Sequence, residues 1–186
     1  MKLKKEDGNL LIKAAKSAIS ARLKGKEPEA KDSLKSKFSE KQGVFVTITI
    51  DGELRGCIGF IEGIFPLWEA VVKAAQSAAF EDPRFMPLTE DEFKTIKVEV
   101  SVLTKPEQLK GKPDTYVKQI EIGKHGLIAE MGYGKGLLLP QVFTEYKVNA
   151  EKALEMTCQK AGLPPNSWKE PGCKVYKFSC QIFTEH

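Results

Sequence analysis

The sequence predicts an α+β fold in which helices flank a mainly antiparallel sheet. Residues 9–23 and 66–80 carry apolar side chains at helical spacing, and residues 44–61 alternate as a β-hairpin. These patterns follow one another without the regular strand–helix repeat of a parallel sheet. The chain of 186 residues can bury a large core, so we expect no disulfide or metal to be needed for stability.

The first helix is predicted over residues 9–23, and the polar residues 25–40, which include Pro28, predict a loop with one short turn. Residues 1–41 hold 12 basic and 6 acidic residues, a net charge of +6 (12 minus 6), whereas the whole chain has +4. Two interpretations of this basic arm stay open. It forms a solvated helix face, as charge runs usually do, or it attracts nucleic acid.

The clearest hairpin surrounds the dipeptide Asp51–Gly52. This dipeptide favours a two-residue type I′ turn, in which both positions need positive φ. Such a turn fixes the register, and we therefore expect Ile48 to lie opposite Arg55. Two residues further from the turn, Val46 then lies opposite Cys57, on the same face of the sheet. Both faces of the second strand carry apolar residues, so we expect both to be covered.

The remaining elements follow in order along the chain. Pro66 opens a helix that has small residues on one face and ends before Pro83. Residues 96–103 alternate as a half-buried strand. The second half predicts a short helix over residues 116–120, strands over 125–130 and 137–139 around a glycine-rich hairpin turn over 132–136, a helix over 149–161 and a strand over 175–183.

The second strand of the first hairpin holds the candidate functional site, centred on Cys57. Gly56 and Gly59 flank the cysteine, and glycine within a strand lets a ligand or another backbone approach closely. The guanidinium of Arg55 is expected to bias the thiol toward its nucleophilic thiolate form. These residues predict the wall of a cleft.

A covered Arg55 needs a charged partner, because an unpaired buried charge is costly. Asp82 is the candidate partner, since it ends the following helix. Arg84, two residues later, extends the predicted charge pairing. Arg55, Asp82 and Arg84 are therefore candidate ligand-binding residues together with the two glycines.

Three interpretations of Cys57 stay open. The thiol is inert and buried, or it lines a ligand-binding cleft without reacting, or it is a catalytic nucleophile. His125 is the one internal histidine and hence the candidate catalytic base. The alternative for His125 is a structural, hydrogen-bonded side chain. Whether the protein is an enzyme is left open by this pattern.

The cysteine and histidine content favours an intracellular protein without a metal. No two of the four cysteines have C-x-x-C spacing, and the two histidines complete no ligand pattern with them. We expect no metal, no cofactor and reduced thiols, as in the cytoplasm. No apolar run approaches the roughly 20 residues of a membrane helix, and the N-terminus does not resemble a signal peptide.

The hexapeptide LRGCIG, Leu54–Gly59, is identical to the signature of the AMMECR-domain family. The resemblance covers almost the whole chain in the expected order. It extends through Ala78–Phe85, Ile122–Leu127, Gly136–Val142 and Lys160–Pro164. The resemblance implies one domain over residues 6–186, built from a larger and a smaller lobe, with residues 1–5 as a tail.

The resemblance also implies partners and three alternative functions. Prokaryotic relatives are encoded beside, or fused to, Memo-like and radical-SAM proteins. The leading hypothesis is a cytoplasmic ligand-binding or enzyme component that takes a small molecule or peptide near Cys57. The alternatives are a nucleic-acid-associated regulator that uses the basic arm and a non-catalytic adaptor. No recognised nucleic-acid-binding motif supports the regulator.

Overall fold

The computed structural model describes residues 3–185. Met1, Lys2 and His186, which include part of the predicted tail, lie outside the described residues. The described residues divide into two compact units: residues 3–103 together with residues 181–185 form unit 1, and residues 104–180 form unit 2. Each unit contains helices and antiparallel strands, which confirms the predicted α+β fold.

The described part of unit 1 contains four α-helices, three complete strands and the end of a further strand. The helices are α1 Lys5–Leu23, α2 Asp32–Lys37, α3 Leu67–Phe80 and α4 Glu90–Phe93, and the strands are β1 Val44–Ile50, β2 Glu53–Phe60 and β3 Lys97–Leu103. β1 pairs with β2 and with β3, both antiparallel. The first predicted helix is confirmed but begins earlier, because the Asp7 carboxylate accepts a hydrogen bond from the Lys4 backbone N–H at 2.7 Å.

The core of unit 1 lies between one face of this sheet and helices α1 and α3. The sheet contributes a set of buried valine and isoleucine side chains: Val44, Val46, Ile48, Val98, Val100 and Val102. α3 packs on both β1 and β2, and it presents the small residues that the sequence predicts on its inner face. These alanines let the α3 backbone lie directly on β2.

Unit 2 contains two α-helices, two 3-10 helices and four strands. The elements are β4 Glu107–Gln108, a 3-10 helix Pro113–Gln119, β5 His125–Met131, β6 Gly134–Leu138, α5 Pro140–Glu145, α6 Ala150–Lys160, a 3-10 helix Pro165–Lys169 and β7 Lys174–Thr184. β5 pairs antiparallel with β6 and with β7, and β4 pairs with β7. The last four residues of β7, 181–184, belong to unit 1.

Two features of unit 2 differ from the sequence prediction. β6 begins at Gly134, so most of the glycine-rich segment is strand and only Gly132 and Tyr133 form the turn. The sequence does not predict the short helix α5 or the two-residue strand β4, because neither is long enough to show a hydrophobic periodicity. The other predicted elements of unit 2 are confirmed with shifts of a few residues.

Candidate functional site

The turn of the β1–β2 hairpin has the predicted geometry. Asp51 and Gly52 have positive φ angles of 52° and 85°, as a type I′ turn requires. Ile50 lies opposite Glu53. The predicted register therefore holds for the pair that closes the turn.

A β-bulge in β2 shifts the register beyond the turn. Thr49 lies opposite Leu54, but the next pair is Ile48 with Gly56, which leaves Arg55 as the extra residue. The predicted pairing of Ile48 with Arg55 is wrong, and every later pair moves by one residue. Since side chains alternate between faces, the residues that share a face with the cysteine also change.

The packing of α3 on the sheet explains the bulge. Ile48 is fully buried, and the residue opposite it faces the same core. In the predicted register that residue is Arg55, whose guanidinium would enter an apolar interior. The bulge places Gly56 there instead, where a Cβ atom would collide with the carbonyl oxygen of Ala78. A glycine at this position thus allows the helix to lie on the strand.

Cys57 lies in a polar row that crosses the sheet on the face opposite the core. It pairs with Thr47 of β1, not with Val46, and Thr47 pairs in turn with Glu99 of β3. The Thr47 hydroxyl donates a hydrogen bond to the Cys57 Sγ at 3.3 Å. The half-buried thiol therefore has a hydroxyl beside it, and Glu99 lies one strand further along the same row.

Asp82 and Arg84 bind the backbone of Cys57 at the edge of the sheet. β2 lies at one end of the strand order. The Cys57 N–H donates to Asp82 Oδ2 at 2.9 Å, and Arg84 Nη2 donates to the Cys57 carbonyl oxygen at 3.4 Å. The two side chains thus take hydrogen bonds that a neighbouring strand would otherwise make, which closes the edge at this residue.

The Asp82–Arg84 pair is itself a two-pronged ion pair. Arg84 Nε donates to Asp82 Oδ1 at 2.9 Å and Nη2 donates to Oδ2 at 2.7 Å. The Asp82 side chain is only 2% exposed, whereas that of Arg84 is 51% exposed. The Arg84 guanidinium holds the pKa of Asp82 well below its usual range. A buried carboxylate therefore fixes an accessible cation beside Cys57.

The partner of Arg55 is Glu92, so the predicted pairing with Asp82 is wrong. Arg55 Nε and Nη2 donate to the Glu92 carboxylate at 2.8 and 3.1 Å, and Nη2 also donates to the Met86 carbonyl oxygen at 2.8 Å. The guanidinium lies 5.7 Å from the ring centroid of Phe85, a cation–π distance. These contacts join β2 to α4 and to the loop before it, and Arg55 is not among the groups that shift the pKa of Cys57.

The environment of Cys57 favours the thiol over the thiolate. Burial raises the pKa of Cys57, and the carboxylates of Asp82 and Glu99 add to the increase. The hydrogen bond from Thr47 and the charge of Arg84 act in the opposite direction but are outweighed. The expectation that a neighbouring arginine biases this cysteine toward thiolate is therefore wrong.

Gly59, the second glycine of the hexapeptide, also makes a close backbone contact. A Cβ atom there would collide with the carbonyl oxygen of Val44 and would lie 2.6 Å from Phe45. The space beside Gly59, like that beside Gly56, is filled by protein atoms. Both glycines act here as packing residues of the hairpin.

His125 belongs to unit 2, at the start of β5. Its Nδ1 accepts a hydrogen bond from the Glu121 backbone N–H at 3.0 Å. Burial lowers the pKa of His125, and the charges of Lys177 and Lys124 lower it further. A neutral imidazole with Nδ1 as acceptor stabilises the turn before β5. Its predicted role as a base stays a prediction.

The described part of the basic arm, residues 3–41, is folded into unit 1. Leu11 and Ile19 of α1 are fully buried, so removing residues 1–41 would destroy the core. Several of its cations are paired with carboxylates: Lys16 with Glu185, Arg22 with Glu81 and Lys37 with Asp7. These pairs reduce the positive charge available to a polyanion.

Within residues 3–185, no three His, Cys, Asp or Glu side chains converge closely enough to hold a metal ion. The helices of that same range include none with the length and apolar character of a membrane span. The four cysteines are free thiols.

Sequence reasoning missed three residues of the site. Glu92 carries a visible signal, because Thr89 and Glu92 have the S/T-x-x-E spacing of a capping box, and both capping hydrogen bonds are present. The sequence carries no comparable signal for Thr47 and Glu99. Their position in one row with Cys57 follows only from the bulge and from the pairing of β1 with β3.

Comparisons with known proteins agree with the fold. A family model described as AMMECR1 matches residues 12–183. A protein of Methanothermobacter thermautotrophicus is 48% identical over 98% of this chain and 96% of its own length, and one of Aquifex aeolicus is 46% identical over 94% and 91%. The crystal structure of an uncharacterized protein from Pyrococcus horikoshii superposes with a TM-score of 0.95 at 46% identity, over 100% of this chain and 95% of that one.

Proposed function

The chain belongs to the AMMECR1 family, and from this premise we propose that unit 1 binds a small carboxylate-bearing molecule, such as an amino acid or a peptide C-terminus, beside Cys57. One observation carries the proposal. The Arg84 guanidinium is half exposed although Asp82 fixes two of its nitrogens. An immobilised but accessible arginine is well suited to bind a carboxylate.

Arg84 uses two of its three guanidinium nitrogens for hydrogen bonds within the protein. Nε and Nη2 bond to Asp82, and Nη2 also reaches the Cys57 carbonyl oxygen. Among residues 3–185, none accepts a hydrogen bond from Nη1 of Arg84. Because Asp82 already orders the Arg84 side chain, a ligand oxygen can bind Nη1 with little further loss of conformational entropy in this side chain.

The charges around the thiol restrict the ligand. The carboxylates of Asp82 and Glu99 both raise the pKa of Cys57, whereas the charge of Arg84 lowers it. Because Asp82 already pairs with Arg84, a dianion such as phosphate would be repelled more strongly than a ligand with one negative charge. The proposed ligand therefore carries one carboxylate.

Binding at this site is non-covalent. A nucleophilic cysteine needs a lowered pKa or an adjacent base, but burial raises the pKa of Cys57 and its hydrogen-bonding side chain is the hydroxyl of Thr47. The thiol supplies a small, polarizable surface to the wall of the site. We place this activity in the cytoplasm, where free thiols such as these four persist.

An NMR titration tests the proposal. Acetate, glycine and phosphate are added separately to ¹⁵N-labelled protein, and the amide resonances of Cys57 and Thr47 are followed. We expect acetate and glycine to shift both resonances and phosphate to have a smaller effect. Arg84→Gln should weaken binding at least tenfold, since hydrogen bonds to charged groups contribute about 1.5–3 kcal/mol.

Arg22→Gln is the matched control. Arg22 is also a half-exposed arginine that pairs with a carboxylate, Glu81, and lies over an aromatic ring, that of Phe80 at 5.0 Å. This variant should bind acetate and glycine as the wild type does. Equal binding by Arg84→Gln and the wild type, or equal loss in both variants, would contradict the proposal.

A further inference from the structure

A groove between α1 and α2 lies apart from the residues around Cys57. Its volume is about 320 Å³, and Val72 of α3 contributes to its lining. The lining is mainly apolar, with Pro28, Ala30 and Leu34 on the side of α2 and the segment before it. A cavity of this volume is at the lower end of the range of small-ligand sites.

Small residues of α1 create the groove. Leu10, Ala14 and Ala18 are spaced four residues apart, so they lie on one stripe of the helix. The two alanines leave a trough where larger side chains would fill the space against α2. Leu10 is 39% exposed, although it is a large apolar residue next to this trough. A bound apolar chain would cover it.

Lysines surround the apolar trough. Lys13, Lys31 and Lys37 line the groove, together with a single acid, Glu29. Lys37 is paired with Asp7, whereas Lys13 and Lys31 make no ion pair with any residue in the range 3–185. Two available cations therefore stand beside an apolar surface. This charge pattern is complementary to a molecule with one anionic head and one apolar tail.

We propose that this groove binds a medium-chain fatty acid, with the alkyl chain along Ala14 and Ala18 and the carboxylate at Lys13 and Lys31. The volume admits one chain and not a folded peptide segment. The apolar lining supplies affinity that depends on chain length, and the lysines select an anionic head group. This site is independent of Arg84 and of the function proposed for Cys57.

A chain-length series measures the apolar contribution. Binding of the C6, C8, C10 and C12 fatty acids is followed by isothermal titration calorimetry, each below its micelle concentration. Each added methylene should tighten binding about fourfold, which corresponds to about 0.8 kcal/mol per buried CH₂, until the groove is full. The alcohol of matching length should bind at least tenfold more weakly than the acid.

Two variants locate the site. Ala14→Trp fills the trough and should abolish binding, whereas Ser36→Trp adds the same side chain to an exposed position of α2 outside the groove and should not. Lys13→Glu should weaken binding of the acid at least tenfold, while Lys5→Glu on the same helix should change it less than twofold. Far-UV circular dichroism confirms that each variant is folded.

Several outcomes would overturn the proposal. Affinity that does not change with chain length, equal binding of acid and alcohol, or equal effects of Ala14→Trp and Ser36→Trp would each exclude a fatty-acid site in the groove. Self-association that Ala14→Trp abolishes would instead assign the groove to a second copy of the chain. Arg84→Gln should leave fatty-acid binding unchanged, so the two sites are tested separately.

Discussion

Gly56→Ala is expected to destabilise the protein by about 3 kcal/mol, the upper end of the usual cost of overpacking. The added Cβ would collide with the carbonyl oxygen of Ala78. Neither partner can move easily, because Gly56 is paired with the fully buried Ile48 and Ala78 lies within α3. Urea denaturation followed by far-UV circular dichroism measures the loss.

Gly172→Ala is the control for this substitution. A Cβ atom at Gly172 would have Met131 atoms at 3.9 Å as its nearest neighbours, an ordinary contact. The free energy of unfolding should change by less than about 0.5 kcal/mol, as for most surface substitutions. An equally small effect of Gly56→Ala would contradict the claim that α3 packs closely on β2 at this position.

Asp82→Ala is the second substitution with a large expected effect, a loss of about 3 kcal/mol. It removes the charged acceptor of the Cys57 and Arg84 backbone N–H groups, and each hydrogen bond to a charged group contributes about 1.5–3 kcal/mol. Asp91→Ala removes an exposed carboxylate that, among residues 3–185, forms an ion pair only with Lys94 three residues later. That control should cost less than about 0.5 kcal/mol.

The decrease in the free energy of unfolding at acid pH is an independent measurement of the Asp82–Arg84 contact. Arg84 holds the pKa of Asp82 below its usual range, and Arg55 lowers the pKa of Glu92 to about 2. A lowered folded-state pKa stabilises the protein above the unfolded pKa of about 4, and this stability is lost as pH falls through the folded value. The wild type should therefore lose stability below about pH 4, and Asp82→Ala should lose less over the same range.

A pH dependence of unfolding that is identical in the wild type and Asp82→Ala would contradict this account. Asp91→Ala, measured in parallel, should retain the wild-type slope. Because the protein has two compact units, each denaturation curve needs a second probe to establish whether unfolding has one step. Tryptophan fluorescence is a suitable second probe, because Trp68 lies in unit 1 and Trp168 lies in unit 2.

Local sequence patterns were sufficient to predict most elements of the fold. The Asp51–Gly52 turn, the alternation of β3 and the small-residue face of α3 each depend on residues close in the sequence. α6 was also predicted closely, since Asn149 accepts the hydrogen bond of its N-terminal cap from the Lys152 N–H and Gly162 follows it with a φ of 75°. Such signals need no knowledge of tertiary contacts.

The candidate site was predicted less well because it depends on a tertiary contact. The bulge at Arg55 is determined by the approach of Ala78 to Gly56, which no local pattern indicates. One extra residue changed the neighbour of Cys57 from a valine to Thr47. It also directed Arg55 to Glu92 and not to Asp82, and the predicted activation of the cysteine was wrong.

Alkylation of Cys57 tests most directly whether this thiol lines an accessible site and is not a nucleophile. Its rate with iodoacetamide is measured by peptide mass spectrometry against pH, with and without glycine, in the wild type and Arg84→Gln. We expect a rate below that of an unfolded-chain cysteine at neutral pH and a midpoint above the usual thiol pKa, with protection by glycine in the wild type only. A fast reaction at neutral pH, or no protection by glycine, would contradict the account.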